Sequence, residues 1–111
     1  MGTITWADFE KVEMRVGKIT AVDDFPQARK PAYKLAVDFG PEFGVKRSSV
    51  QATHYPKADL LGRQVVCVTN FPPKQIGPFT SEVLVLGAYD TDGTVILLQP
   101  DRAVDLASRI G

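Results

Sequence analysis

The sequence predicts a mainly β fold, a five-stranded Greek-key barrel with short extensions at both ends of the chain. Apolar and polar residues alternate in several short runs, as they do in strands with one buried face. The first run changes phase after a glycine, as a strand does when it bends to serve both halves of a closed sheet. A short helical segment falls between the third and fourth strands, where small barrels carry a helix that plugs one end.

The N-terminal extension is predicted to start with a short helix. Thr5 is a suitable N-cap, and Asp8 stands three residues later, as in a capping box. Ile4 and Phe9 occupy the two positions of a hydrophobic staple.

The first strand is predicted to bend near a glycine. Its apolar residues stand at even positions from Val12 onwards and move to odd positions, Ile19 and Ala21, after Gly17. A bulge or a sharp bend produces such a shift, because it turns the following side chains to the other face.

Two more strands and the plugging helix follow. Leu35, Val37 and Phe39 alternate with polar residues and mark the second strand. Residues 45–53 form a weaker third strand with a polar and basic surface, and residues 56–61 favour a short helix. This order of elements is typical of a barrel of the OB type.

The C-terminal half is predicted to contain a buried strand, an apolar hairpin and a final helix. The strand runs from Val65 to Asn70, and the hairpin joins Val83–Tyr89 to Thr94–Gln99 through a turn at Asp92-Gly93. Both hairpin strands are apolar on both faces, so we expect the rest of the barrel or a second subunit to cover each face. The helix is predicted over Asp101–Ile110.

Length and composition favour one globular domain over residues 1–111. The chain is 44% hydrophobic and 23% charged, which is too apolar for a disordered chain. The longest wholly apolar run, Val83 to Ala88, is far shorter than the roughly 20 residues of a membrane-spanning helix, so no membrane insertion is expected.

The few chemically reactive residues argue against an enzyme. The single Cys67 lies in an apolar run, which predicts a small buried side chain in a reducing, cytoplasmic setting. One Cys67 and one His54 cannot supply the roughly four ligands of a zinc site, so no metal is expected, and no cofactor motif is present. His54 lacks a nucleophile motif beside it and is expected in an exposed loop.

The charges are unevenly distributed although the chain is neutral. Residues 25–80 carry eight basic and three acidic side chains, a net charge of +5, and the remainder carries −5. A positive face on the middle strands would attract phosphates or acidic partners; alternatively, these charges only solvate loops. The candidate contacts are Arg29, Lys30, Lys34, Lys46, Arg47 and Lys74.

Four aromatic residues are candidates for a groove or a stacking surface: Phe25, Tyr33, Phe71 and Phe79. Aromatic rings hold extended peptides as well as unstacked bases. The alternative is that they belong to the core or to a subunit interface. Phe25 and Phe79 are the favoured ligand contacts, because they are flanked by prolines in predicted loops.

Several segments resemble the tRNA-binding-domain family. The resemblance rests on Asp8-Phe9-Glu10-Lys11-Val12 with Met14-Arg15-Val16-Gly17-Lys18-Ile19, and on Asn70-Phe71-Pro72-Pro73-Lys74. Residues 25–35 and 74–79 are similar to the CsaA branch, described as export-related chaperones that bind unfolded preprotein segments. The resemblance implies an OB barrel, a homodimer formed through the terminal extensions, and a module without catalytic activity.

The resemblance also favours one of the family's functions, that of a chaperone, over tRNA binding. The tRNA-binding members carry Ser-Gln-Gly-Met where this chain has Ser81-Glu82-Val83-Leu84, so an anionic side chain is added and a glycine that would let RNA approach is lost. Asn70 and Ser81 match family positions and bind either a ligand or the backbone of a strand end. We therefore predict a non-enzymatic, homodimeric chaperone for unfolded or presecretory polypeptides in protein export. A structure-specific tRNA-binding protein is the alternative, and a subunit that recruits a synthetase is a third.

Overall fold

The computed structural model describes residues 2–111, which form a nearly closed antiparallel barrel. The helices are α1 (Trp6–Glu10) and α2 (Lys57–Leu60). The strands are β1 (Met14–Asp24), β2 (Tyr33–Asp38), β3 (Val45–Val50), β4 (Gln64–Val68), β5 (Lys74–Ile76), β6 (Phe79–Ser81), β7 (Leu84–Val85), β8 (Gly87–Tyr89) and β9 (Val95–Leu97). Five of them make one sheet in the order β3-β2-β1-β4-β7, and β5-β6 and β8-β9 are hairpins. The predicted mainly β, OB-like barrel is confirmed.

The first strand serves both halves of the barrel, as its phase shift predicts. Residues 14–18 of β1 pair with β4, and residues 18–24 pair with β2. The register shifts between Ile19 and Ala21, so the bulge lies just beyond the predicted glycine. Gly17 itself is needed for close packing, because a Cβ there would lie 2.5 Å from Val37 Cγ1 and 2.8 Å from Phe39 Cε1.

The barrel closes where β3 meets the segment after β6. The Glu82 N–H donates to the Arg47 carbonyl at 2.7 Å, and the Ser49 N–H donates to Ser81 Oγ at 3.3 Å. These contacts join the edge strand of the main sheet to the β5-β6 hairpin. This hairpin, which turns at Gly77 with φ +57°, was not predicted from the sequence.

The core fills the barrel, and α2 plugs one end. Leu35, Val37, Val65 and Cys67 are almost fully buried, and the alternating pattern of β2 is confirmed. Leu60 of α2 is 0% exposed, which confirms the plugging helix. Burial raises the pKa of the Cys67 thiol to about 12, so this side chain is an inert part of the core.

The N-terminal helix is confirmed together with its cap. Asp8 N–H donates to Thr5 Oγ1 at 3.1 Å, and Thr5 N–H donates to the Asp8 carboxylate at 3.0 Å. No side chain of α1 is buried. Neither helix in residues 2–111 is long and apolar enough to cross a membrane.

The predicted helix over Asp101–Ile110 is wrong. This segment is irregular, with a turn over residues 105–108, and its residues 107–110, the C-terminal tail, lie along the free edge of β1. Ala107 N–H donates to the Val16 carbonyl at 2.8 Å, and Val16 N–H donates to the Ser108 carbonyl at 2.9 Å. Short isolated helices are marginal in water, whereas the unpaired edge of β1 offers the tail ready hydrogen bonds. Tertiary pairing therefore overrides the apolar spacing that suggested a helix.

The predicted apolar hairpin is present but interrupted. Its first strand is divided into β7 and β8 at Leu86, whose N–H donates to the Val66 carbonyl at 2.9 Å. The turn prediction is confirmed, since Asp90 and Thr94 close it and Gly93 has φ +85°.

Candidate functional site

An apolar cavity of about 360 Å³ opens beside the β5-β6 hairpin. It is lined by Phe71, Pro72, Lys74, Ser81, Glu82, Val83 and Leu84, and we call it the Phe71 cavity. Phe71 is 54% exposed and Leu84 is 46% exposed. The cavity therefore offers an aromatic ring and aliphatic groups to a ligand without unfolding the barrel.

Asn70 fixes the segment that carries Phe71. Its Oδ1 accepts the Glu13 N–H at 3.0 Å, and its Nδ2 donates to the Lys11 carbonyl at 2.7 Å. The two prolines after Phe71 have no N–H to donate, so the chain leaves the β4 ladder there. In this structure Asn70 links the end of β4 to the N-terminal segment. This is the second of the two roles considered for Asn70, hydrogen bonding to backbone at a strand end.

A larger cavity of about 450 Å³ lies on the other side of Phe71, at the barrel mouth. Two of its charged groups, Glu13 and Arg15, are in contact with each other. Arg15 Nε lies 2.7 Å from Glu13 Oε1, and the Arg15 guanidinium stands 4.3 Å from the centre of the Phe43 ring. The hydrogen bond from Arg15 holds the pKa of the Glu13 carboxyl below its ordinary value.

A third depression, also about 360 Å³, is basic. It is lined by Ala28, Arg29, Lys30, Ala32, Ser49, Gln51, Lys74, Gln75 and Ile76, and we call it the basic depression. No acidic residue lies in this lining. Among the ion pairs of residues 2–111, none involves Arg29, Lys30 or Lys74. Three of the predicted basic contacts are thus brought together and stay available to an anion.

The favoured aromatic candidates, Phe25 and Phe79, are buried. They are 4% and 8% exposed, and their rings meet edge to face at 5.4 Å. Lys34 Nζ lies 5.8 Å from the centre of the Phe25 ring, and the Arg47 guanidinium lies 5.4 Å from that of Phe79. The two rings form a small second core beneath basic side chains, so a ligand on this face meets the cations first.

Tyr33 and Ser81 are engaged inside the protein. Tyr33 is 8% exposed, and its hydroxyl donates to the Tyr55 carbonyl at 2.8 Å. Ser81 Oγ accepts the Ser49 N–H where the barrel closes. Phe71 is therefore the exposed member of the predicted aromatic set.

Strand alternation separates the two adjacent basic candidates on β3. Successive side chains of a strand point to opposite faces, so Lys46 and Arg47 cannot share one surface. Lys46 lines the cavity at the barrel mouth. Arg47 faces outwards, with its Nε 3.6 Å from Glu82 Oε1. The predicted basic set thus divides between two surfaces.

The β8-β9 hairpin exposes apolar side chains. Ile96 and Leu98 are 41% and 42% exposed. Tyr89 at the end of β8 is 81% exposed. One face of this apolar hairpin is therefore covered by the barrel, and the other face is open to solvent.

Residues 14–109 match the family model described as a putative tRNA binding domain. The CsaA chaperone protein from Picrophilus torridus is 50% identical, with a TM-score of 0.93 over 98% of this chain and 100% of that one. Chaperone CsaA from Bacillus anthracis is 43% identical, with a TM-score of 0.92 over 99% and 100%.

Sequence relatives include much longer proteins. The methionine–tRNA ligase of Nanoarchaeum equitans is 38% identical over 98% of this chain, but the match covers only 14% of that ligase. The ligase of Thermococcus onnurineus is 39% identical over 96% of this chain, again with 14% of the ligase matched. The chain thus spans about a seventh of the length of these curated relatives.

Proposed function

Since the chain belongs to the tRNA-binding-domain family, we propose that it is a non-enzymatic member that binds unfolded or presecretory polypeptides. We place it in the cytoplasm, as a homodimer that keeps export substrates from aggregating. The observation that carries this proposal is the Phe71 cavity, an open apolar site on a rigid barrel. The chain is 50% and 43% identical to two proteins described as CsaA chaperones, and this similarity supports the same function.

The Phe71 cavity suits an apolar side chain from an extended polypeptide. Burial of such a side chain contributes roughly 1.5–3 kcal/mol, and the cavity requires no particular sequence around it. The Asn70 contacts fix the segment that carries Phe71, so little backbone entropy is lost when a ligand covers the ring. A site of this kind binds many unfolded chains without using a nucleotide.

The proposed homodimer uses the open face of the β8-β9 hairpin. Ile96 of β9 and Leu98, which follows β9, are each more than 40% exposed there. A second copy of the chain would remove this apolar surface from water, which is the main driving force of subunit association. Sedimentation of the purified protein over a range of concentrations tests the oligomeric state.

Phe71→Ala is expected to weaken binding of an unfolded presecretory peptide by about 5- to 30-fold, because truncation of a central aromatic contact typically costs about 1–2 kcal/mol or more. Fluorescence anisotropy with a labelled peptide measures this change. Leu61→Ala is the control, since Leu61 is 51% exposed and lies outside both the cavity lining and the β8-β9 hairpin. If the unaltered protein neither binds the peptide nor suppresses aggregation at stoichiometric concentration, the proposed function is wrong.

The second candidate function, structure-specific tRNA binding, is favoured by the basic depression and by the family. The double variant Arg29→Glu, Lys30→Glu is expected to reduce tRNA affinity. It should also make the dependence of log affinity on log salt concentration shallower, by the amount expected for the loss of about two phosphate contacts. Anisotropy of labelled tRNA across several salt concentrations measures both quantities. Lys18→Glu, an exposed change on β1 outside the depression, should have a smaller effect. Unchanged affinity and slope in the double variant would exclude this surface as an RNA site.

A further inference from the structure

We propose that the bound polypeptide segments carry a carboxylate close to a bulky apolar side chain, and that Lys74 sets this preference. The inference rests on the proposed function and specifies its substrate class. The apolar side chain enters the Phe71 cavity, and the carboxylate lies over the basic depression. Segments with Lys or Arg at the same position are bound more weakly.

Lys74 is the residue that joins the two depressions, because it lines both of them. It pairs with Ser81 across the β5-β6 hairpin, and Ile76 pairs with Phe79. Directly paired residues share one face of a hairpin, so these four side chains lie on one side. The side chains of Phe79 and Ser81 on this face contact β3, whereas Lys74 is exposed. An extended ligand that leaves the Phe71 cavity along the hairpin therefore meets Lys74.

The charge distribution around Lys74 selects an anion. Arg29, Lys30 and Lys74 form no ion pair within the described residues, and no acidic side chain lines their depression. The Phe71 cavity contains one acidic residue, Glu82, which accepts the Arg47 N–H at 3.0 Å and lies near the Arg47 guanidinium. An incoming carboxylate thus meets three free cations, whereas an incoming ammonium group is repelled.

A polypeptide fits this arrangement better than a phosphate backbone does. A nucleic acid would place its phosphates over the basic depression and stack a base on the exposed Phe71 ring, but it would leave the aliphatic Leu84 side chain without an apolar partner. A peptide with an apolar and an acidic side chain satisfies both depressions at once. The proposal further implies that acidic segments of a presecretory chain bind in preference to its basic ones.

The test uses two labelled peptides with the same aromatic core, one flanked by glutamate and the other by lysine. We expect the unaltered protein to bind the glutamate peptide about 5-fold more tightly, as partly exposed charge pairs allow. Lys74→Glu should remove or reverse this preference, and Lys18→Glu should preserve it. Added salt should reduce the preference while apolar binding persists.

The outcomes separate this inference from the proposed function. Equal affinity for the two peptides would overturn the charge preference while leaving polypeptide binding intact. Undiminished binding of the glutamate peptide to Phe71→Ala would show that the carboxylate acts alone and would also overturn the proposal. Tight tRNA binding with no binding of either peptide would overturn both the inference and the proposed function.

Discussion

Leu60→Ala is expected to lower the free energy of unfolding by about 2–5 kcal/mol, because it removes a large side chain from a fully buried site. Leu60 is 0% exposed and belongs to the main core cluster, where α2 plugs the barrel. The shortened side chain would leave a void between the helix and the strands. Urea unfolding followed by far-UV circular dichroism measures the change.

The neighbouring residue supplies a matched control. Leu61 is also a leucine but is 51% exposed, so Leu61→Ala should change the free energy of unfolding by only about 0.5 kcal/mol. Equal effects of the two substitutions would contradict the assignment of Leu60 as the plug. A collapse of cooperative unfolding in Leu60→Ala would itself support that assignment, provided that Leu61→Ala unfolds normally.

Gly17→Ala is expected to destabilise the barrel by about 1–3 kcal/mol through overpacking. The new methyl group would stand 2.5 Å from Val37 Cγ1 and 2.8 Å from Phe39 Cε1, and both side chains are held by the core. Relief requires that β1 and β2 move apart. Thermal and urea unfolding measure the loss.

Gly2→Ala is the control for this substitution, since nothing lies within 4 Å of a Cβ at that position. It should leave stability unchanged. If Gly17→Ala were as stable as the unaltered protein, the close approach of β1 to Val37 and Phe39 would be wrong. The bulge between Ile19 and Ala21 would then be the sole reason for the bend.

The barrel was predictable from the sequence because its strands have distinct faces. The alternation in β2 and the phase shift in β1 show, within each strand alone, which side chains are buried. The turn residues mark where the strands end. The C-terminal tail was not predictable in this way. Its conformation depends on an unpaired edge of β1, which is distant in sequence and leaves no local pattern.

The candidate site was predictable in its chemistry but not in its assembly. Phe71 was one of four aromatic candidates and not a favoured one, yet it is the exposed member. Of the six basic candidates, the structure brings Arg29, Lys30 and Lys74 together. Phe25 and Phe79 were expected in loops but are buried, because Phe79 lies in β6 and packs with Ile76 of β5 against Phe25. A three-residue strand gives too weak a pattern to reveal such packing.

The pairing of the C-terminal tail with β1 has a consequence for the order of folding. Residues 107–110 contact residues 14–16, so this edge joins segments separated by almost the whole chain. Contacts of such long sequence separation form slowly, because a large loop must close before they contribute. During synthesis the edge of β1 therefore stays unpaired until residues 107–110 have emerged from the ribosome. The nascent barrel is itself an incompletely paired polypeptide, and a truncation before residue 107 would hold it permanently in that state.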